Sequence, residues 1–179
     1  MSETLQKIKE EVEKDKVDFN KPGYQLAKLE VTEQDRNLYA ECLVNGTPFS
    51  YSFVNSPINA KFRDRTKRET DIIGRQTDRA YNEGKILSPA EYANQFNLGC
   101  LYYQLEEING ILQHREYPKS VWDMKDFNLF SEIDQGYIGG LNSSVLFTLM
   151  GMMTQFNQKL YDLSKEVLDG NFFKPAKDS

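Results

Sequence analysis

The stretch that decides the fold is NSSVLFTLMGMMTQFNQKLYDLSKEVLDG, residues 142–170. Its apolar side chains recur at alternating steps of three and four positions. This spacing predicts a long amphipathic α-helix with a narrow apolar seam, as in a coiled coil. Asn142 or Ser143 is expected to cap the start of this helix, and Gly170 its end. The seam consists of Leu146, Leu149, Met153, Phe156, Leu160, Leu163 and Val167.

The two halves of this helix differ in the apolar surface that they carry. Residues 145–153 are apolar nearly all round, which predicts burial in the domain core. Residues 155–169 keep only the narrow seam, which a partner helix or a second copy of the chain would cover. Methionines at 150, 152 and 153 fit an ordinary core or an adaptable binding surface, and core packing is the simpler interpretation. The predicted partner-binding surface is the seam, joined by Phe172 and Phe173 in the tail.

The composition is that of an acidic, folded chain. Of its 179 residues, 39% are hydrophobic and 27% are charged, and the net charge is −5. This length accommodates one domain with a real core. The negative charge argues against nucleic acid as the partner of the whole chain, although a local basic stripe would still be compatible with it. Cys42 and Cys100 lie far apart, which favours two free thiols in a reducing cytoplasm over the alternative of a single disulfide.

No secretion or membrane segment is expected. Residues 1–15 are charged throughout and lack the apolar region of a signal peptide. Residues 135–158 carry no charge, a run longer than the roughly 20 residues that span a bilayer. Glycines and several amide and hydroxyl side chains interrupt this run. A buried helix entered through a glycine-rich turn is therefore favoured over a membrane span.

The expected fold class is α+β. A single domain over residues 21–170 follows a charged helix within residues 1–20 and precedes a tail over 171–179. Asn45-Gly46 is a two-residue hairpin signal, and pairing across it sorts residues 38–44 and 47–53 into one apolar and one polar face. With a strand over 24–31, this predicts a three-stranded antiparallel meander that packs against several α-helices.

Three further helices are expected before the long last helix. Residues 60–83 read as a polar helix. Ser88-Pro89-Ala90-Glu91 is a capping box that begins a helix over 89–112, weakened or ended by Asn109-Gly110. Residues 126–133 form a short helix, and the glycines at 136, 139 and 140 are predicted to act as a hinge.

The basic first half of the predicted helix 60–83 admits two interpretations. Its cations contact nucleic acid or an acidic partner, or they form a solvated face with pairs such as Arg65–Glu69. The solvated face is favoured, because this stretch lacks interleaved aromatic side chains that would stack on bases. The residues in question are Lys61, Arg63, Arg65, Lys67 and Arg68.

The sequence offers little catalytic chemistry. His114 is the single histidine, it has no ligand spacing around it, and it is expected on the surface. No phosphate-binding glycine loop, nucleophile elbow or EF-hand spacing occurs. Glu106 and Glu107 are adjacent, so on a helix their side chains would point about 100° apart and make a poor acid/base pair. We therefore expect no enzyme activity, cofactor or metal, with a site of scattered carboxylates as the remaining enzymatic alternative.

The order of the parts resembles a known family. The motifs are Phe49-Ser50-Tyr51-Ser52-Phe53-Val54, Asn55-Ser56-Pro57, Leu87-Ser88-Pro89-Ala90-Glu91-Tyr92, Glu107-Ile108-Asn109-Gly110, the long last helix and Asn171-Phe172-Phe173. This layout is similar to that of tail or baseplate-hub assembly chaperones of tailed bacteriophages. The resemblance implies no catalytic residues. It implies binding to a virion component in the host cytoplasm, or a minor place in the virion.

The leading hypothesis is therefore a non-enzymatic interaction protein, a phage-type assembly chaperone or adaptor that binds a virion component or a second copy of itself. The second hypothesis is a nucleic-acid-associated or anti-defence protein that uses the basic residues 61–68.

Overall fold

A computed structural model of the protein describes residues 28–54, 56 and 58–169. The predicted helix within 1–20, residues 24–27 of the predicted strand 24–31, and the tail with Phe172 and Phe173 lie outside the described residues. Helices and strands are mixed along the described part of the chain. In order they are α1 Glu33–Asn45, β1 Ser50–Phe53, β2 Ala60–Arg63, α2 Lys67–Asn82, α3 Pro89–Gln104, β3 Leu105–Ile108, β4 Ile111–Leu112, α4 Leu129–Gln135, a 3₁₀ turn Ile138–Gly140 and α5 Ser143–Leu168.

The predicted α+β class is confirmed, but the sheet has different strands. It has four antiparallel strands in the order β1-β2-β3-β4, where a three-stranded meander was predicted. As in a meander, the strands lie in the sheet in the same order as in the chain, but α2 and α3 are inserted between β2 and β3. Residues 28–31 of the predicted first strand are not in a strand.

The predicted hairpin at Asn45-Gly46 is wrong. Residues 33–45 form α1, and Gly46 ends this helix with a φ of +66°. A capping box begins α1, because Thr32 and Asp35 each accept a backbone hydrogen bond from the other. Asn-Gly favours left-handed backbone, and that conformation serves a helix end as well as a hairpin. The alternating apolar pattern of 38–44 was therefore overridden by a helix that begins upstream.

The second Asn-Gly pair is the one that forms a hairpin. Asn109 has a φ of +48° and Gly110 a φ of +83°, as a two-residue type I′ turn requires. This turn joins β3 to β4, with Ile108 opposite Ile111. The helix predicted over 89–112 consequently ends at Gln104. Its last predicted turns form a strand because Leu105 and Ile108 are buried in pairing with β2.

The predicted helix 60–83 is also divided in two. Residues 60–63 form β2, whose Ala60 and Phe62 are buried in the sheet. The helical part begins only after Thr66, which forms a second capping box with Glu69. The spacing Thr-x-x-Glu is a helix-start signal that the sequence interpretation overlooked.

The long helix α5 begins where predicted, and Asn142 caps it by accepting a hydrogen bond from the Val145 N–H. Its apolar seam packs inside the domain. Phe156 lies between the rings of Phe49 and Phe62, with centroids 6.4 Å and 6.0 Å away. The fully buried seam residues are Leu149, Met153, Phe156, Leu163 and Val167, whereas Leu146 and Leu160 are partly buried.

The second half of the seam is thus covered by this chain itself. Helix α1 packs along it, and Arg36 of α1 forms an ion pair with Glu166 of α5 at 2.5 Å. This corrects the expectation that a partner covers residues 155–169. The hairpin prediction places residues 38–44 in a strand, whereas in the structure they belong to the helix that covers the seam. None of the described helices is both long enough and apolar enough to cross a bilayer.

Lys159 is a buried cation in the middle of this packing. Its Nζ lies 2.6 Å from Asp35 Oδ2, 2.7 Å from the Glu30 carbonyl oxygen and 4.4 Å from the Tyr51 ring centroid. Burial would raise the pKa of Asp35, but hydrogen bonds from Lys159 and Thr32 outweigh it and hold this pKa below its ordinary value. One charge therefore joins α5 to the start of α1, to β1 and to the segment that precedes α1.

Replacing Lys159 with Met should destabilise the protein by about 3 kcal/mol, because the carboxylate of Asp35 then loses its cation in a partly buried site. Urea unfolding at pH 7 measures the change. Lys165→Met on the same helix is the matched control and should leave stability unchanged, since Lys165 is exposed. Equal stability of the two variants would contradict the structural role of Lys159.

The glycine-rich approach to α5, predicted as a hinge, is a closely packed turn. A Cβ placed on Gly139 would lie 2.1 Å from the backbone oxygen of Asp134, whereas a Cβ on Gly140 would meet no atom within 4 Å. Glycine is needed at position 139 because two backbone segments approach each other there.

Gly139→Ala should therefore cost about 3 kcal/mol of unfolding free energy through this clash. Gly140→Ala, one residue away, should be neutral or slightly stabilising, because it only reduces the freedom of the unfolded chain. Thermal and urea unfolding of the two variants distinguish these expectations, and a tolerated Gly139→Ala would show that the turn is loose.

Candidate functional site

A groove of about 330 Å³ lies between β4 and the 3₁₀ turn. Its floor is apolar and buried, formed by Leu105, Ile133 and Ile138. Its lining also includes the exposed residues Ile111, Leu112 and Tyr137. We call this feature the β4 groove.

Strand β4 leaves one edge of the sheet open. The Gln113 N–H donates to the Glu106 carbonyl at 2.8 Å. Because hydrogen-bonding direction alternates along an antiparallel strand, the N–H and C=O of Leu112 point away from β3. Ile111 is 58% exposed and Leu112 is 78% exposed. Natural proteins usually protect such edges with charges or proline, and β4 itself carries neither.

The polar side of the β4 groove follows directly after the strand. His114 Nε2 lies 2.5 Å from Glu116 Oε1, and both side chains are exposed, as predicted for His114. The backbone of Glu116 is fixed from both sides: its N–H donates to the Tyr102 hydroxyl at 2.7 Å, and its carbonyl accepts from the Tyr103 hydroxyl at 3.0 Å. Glu132 adds a second carboxylate to the lining.

A second candidate surface runs along α2, where the loop 117–125 lies beside the helix. The Arg75 guanidinium lies 4.3 Å from the centroid of Trp122, which is 83% exposed. One end of the loop is held by Arg68, which lies 5.7 Å from the Tyr117 ring centroid. The other end is held by Arg79, which donates to the Met124 carbonyl at 3.2 Å. We call these residues the Trp122 surface.

A buried ion pair positions the Trp122 surface. Arg63 contacts Glu69 with both terminal nitrogens, at 2.5 Å and 3.1 Å. The Tyr117 hydroxyl donates to the same carboxylate at 2.8 Å, which anchors the start of the loop. Burial would raise the pKa of Glu69, but hydrogen bonds from Arg63, the Thr66 N–H and Tyr117 lower it below its ordinary value.

The structure separates the five basic residues that were predicted to lie together on one helix. Arg63 is buried in its pair with Glu69. Lys61, also on β2, pairs with Glu106 of β3 at 3.1 Å. Arg65 lies in the connection after β2, where its Nε is buried. A single basic stripe over residues 61–68 is therefore not formed.

Only the last two of these cations reach the exposed face of α2. Lys67 pairs there with Asp71 at 2.7 Å, and Arg68 donates to the Pro118 carbonyl at 3.0 Å. The sequence interpretation missed Arg75, Arg79 and Trp122, because a loop distant along the chain supplies the aromatic ring. The strand β4 was predictable from the sequence, because Asn109-Gly110 is a hairpin signal flanked by apolar residues.

The described residues contain no group of three or more histidine, cysteine, aspartate or glutamate side chains that could hold a metal ion. Cys42 and Cys100 are free thiols, as predicted. Comparison of the chain with protein-family models, with curated proteins and with solved structures gave no match. Functional inference therefore starts from the β4 groove and the Trp122 surface.

The Arg63–Glu69 pair predicts a defined pH dependence. The lowered pKa of Glu69 contributes stability above the ordinary glutamate pKa of 4.5, and this contribution is lost as the pH falls through the lowered value. Glu69→Gln should be about 3 kcal/mol less stable than the wild type near pH 7, because Arg63 is left unpaired. The difference should shrink steadily below pH 4.5.

Urea unfolding of both proteins between pH 3 and 7 measures this difference directly. Asp71→Asn, which removes the partner of an exposed lysine on the same helix, is the control and should change stability little. A stability difference that stays constant from pH 7 to 3 would exclude a charged Glu69 as its origin.

Proposed function

We propose that the protein is a non-enzymatic binding protein that holds an extended segment of a protein partner in the β4 groove. The observation that carries this proposal is the open edge of β4, where Ile111 and Leu112 are exposed beside an apolar groove. An extended segment would pair with the outward N–H and C=O of Leu112 and would place alternate side chains in the groove. Glu116 and Glu132 would favour a basic residue in that segment.

The resemblance in layout to phage tail and baseplate assembly chaperones suggests a virion component as this partner. An assembly chaperone covers apolar surface of its client and later releases it. The short edge of β4 suits reversible binding of this kind. Few backbone hydrogen bonds form, each contributing about 1 kcal/mol net, so micromolar rather than nanomolar affinity is expected. A host-cytoplasm location belongs to the same proposal.

Leu112→Lys tests the proposal, because a charge at a strand edge opposes strand addition. We expect the tagged variant to capture at least tenfold less of a structural virion protein from phage-infected host cells than the wild type. Leu87→Lys is the matched control: Leu87 is 79% exposed, and it lies in the connection between α2 and α3. Mass spectrometry identifies the captured protein, and circular dichroism checks both folds.

Two results would contradict the proposal. One is equal capture by the wild type and Leu112→Lys. The other is a wild-type dimer in light scattering that Leu112→Lys abolishes without any captured virion protein, because the occupant of the groove is then a second copy of the chain.

A further inference from the structure

The Trp122 surface combines stacking groups with cations in a way that the β4 groove does not. The Arg75 guanidinium lies over one face of the Trp122 ring, and the 83% exposure of Trp122 leaves most of the indole open to solvent. Exposure of so large an apolar ring costs free energy unless something covers it. The backbone on both sides of Trp122 is tied to α2, since Arg68 donates to the Pro118 carbonyl and Arg79 to the Met124 carbonyl.

The cations on this surface form a row. Arg68, Arg75 and Arg79 are spaced by seven and four residues on α2, so they project from one face and span about 16 Å along the helix. Three carboxylates lie on or next to the exposed side of this helix, and each has a partner: Asp71 pairs with Lys67, Asp78 accepts a hydrogen bond from the Tyr92 hydroxyl, and Glu83 pairs with Arg79. The pair with Glu83 occupies Arg79, so Arg68 and Arg75 are the arginines of the row that remain for a ligand. Arg75 has no carboxylate partner among the described residues and contacts the indole instead.

The loop also contributes charges of both signs. Lys119 and Lys125 are exposed, and so are Asp123 and Asp126. The local surface is therefore basic mainly along the arginine row of α2, in a chain whose net charge is −5. These aspartates limit the attraction for a polyanion, so binding at low ionic strength is expected and tight binding is not.

We propose that the Trp122 surface binds single-stranded nucleic acid. An unpaired base stacks on the free face of Trp122, while Arg68 and Arg75 contact neighbouring phosphates. A duplex is disfavoured because its bases are already stacked and its edges, not its faces, are accessible. An acidic peptide would use the arginines but would leave the indole uncovered. This binding is independent of the β4 groove.

The experiment uses the full chain and its single tryptophan. A base stacked on Trp122 quenches indole fluorescence, so titration with a 20-nucleotide oligo(dT) in 50 mM salt should give saturable quenching. With Arg68 and Arg75 on phosphates, the expected slope of log affinity against log salt is about −1.4, so 200 mM salt should weaken binding roughly 7-fold. Inorganic polyphosphate carries charge without bases and should cause no saturable quenching.

Variants separate stacking from charge, with binding followed by anisotropy of a labelled oligo(dT). Trp122→Ala should weaken binding about tenfold, from the loss of one base stack. Tyr161→Ala is the matched control: Tyr161 is an exposed ring next to a cation, Lys165, at 4.5 Å on α5, and its loss should have no effect. Arg75→Gln should reduce the magnitude of the salt slope by about 0.7, whereas Arg75→Lys should retain it.

Absence of quenching by oligo(dT) at 50 mM salt would overturn the proposal without any variant, even if Trp122→Ala failed to fold. Tighter binding of poly-glutamate than of oligo(dT) would also overturn it, and would assign the surface to an acidic protein. Equal binding of oligo(dT) by the wild type and by folded Trp122→Ala would likewise exclude base stacking on Trp122.

Discussion

The buried contact between Lys159 and Asp35 is the constraint on which the remaining packing depends. An ammonium group that is almost fully buried is tolerated only with partners on all sides. Its partners come from α1, from β1 and from the segment before α1, so satisfying one charge brings three parts of the chain against α5. With α1 in place, the second half of the α5 seam is covered, and an apolar stripe that looks like a partner surface becomes core.

The same combination of a capping box and a buried ion pair occurs twice. Asp35 and Glu69 are each the third residue of a helix, and each closes a capping box with a threonine. Each carboxylate also pairs with a buried cation from another element, Lys159 in one case and Arg63 in the other. A local helix-start motif and a long-range ion pair thus share one side chain. Each ion pair therefore fixes the start of its helix relative to another element. The Tyr117 hydroxyl also donates to Glu69, which attaches the loop 117–125 to the same site.

Two of the exposed features in the described part of the chain, the β4 groove and the Trp122 surface, differ in chemistry. The β4 groove is a backbone edge with an apolar floor, suited to an extended polypeptide. The Trp122 surface is an aromatic ring on a row of arginines, suited to a planar base and its phosphates. The two proposed bindings are compatible, because they lie on separate elements and use different side chains.

The sequence by itself determined the α+β class, the long helix α5 with its Asn142 cap and its apolar seam, the start of α3, and two free thiols. These features depend on the spacing of residues and on contacts between residues close together in the chain, and both can be read from the sequence. Left-handed backbone suits a helix end at Gly46 and a type I′ turn at Gly110 equally well, and the capping box at Thr32 favours the helix at the first pair. Tertiary structure decided the hairpin at the second pair, because β3 pairs with β2 and buries Leu105 and Ile108 there. It also decided that Arg63 is buried, that the seam is interior and that Trp122 lies on Arg75. Each of these is a contact between residues far apart along the chain, so no local pattern contains it.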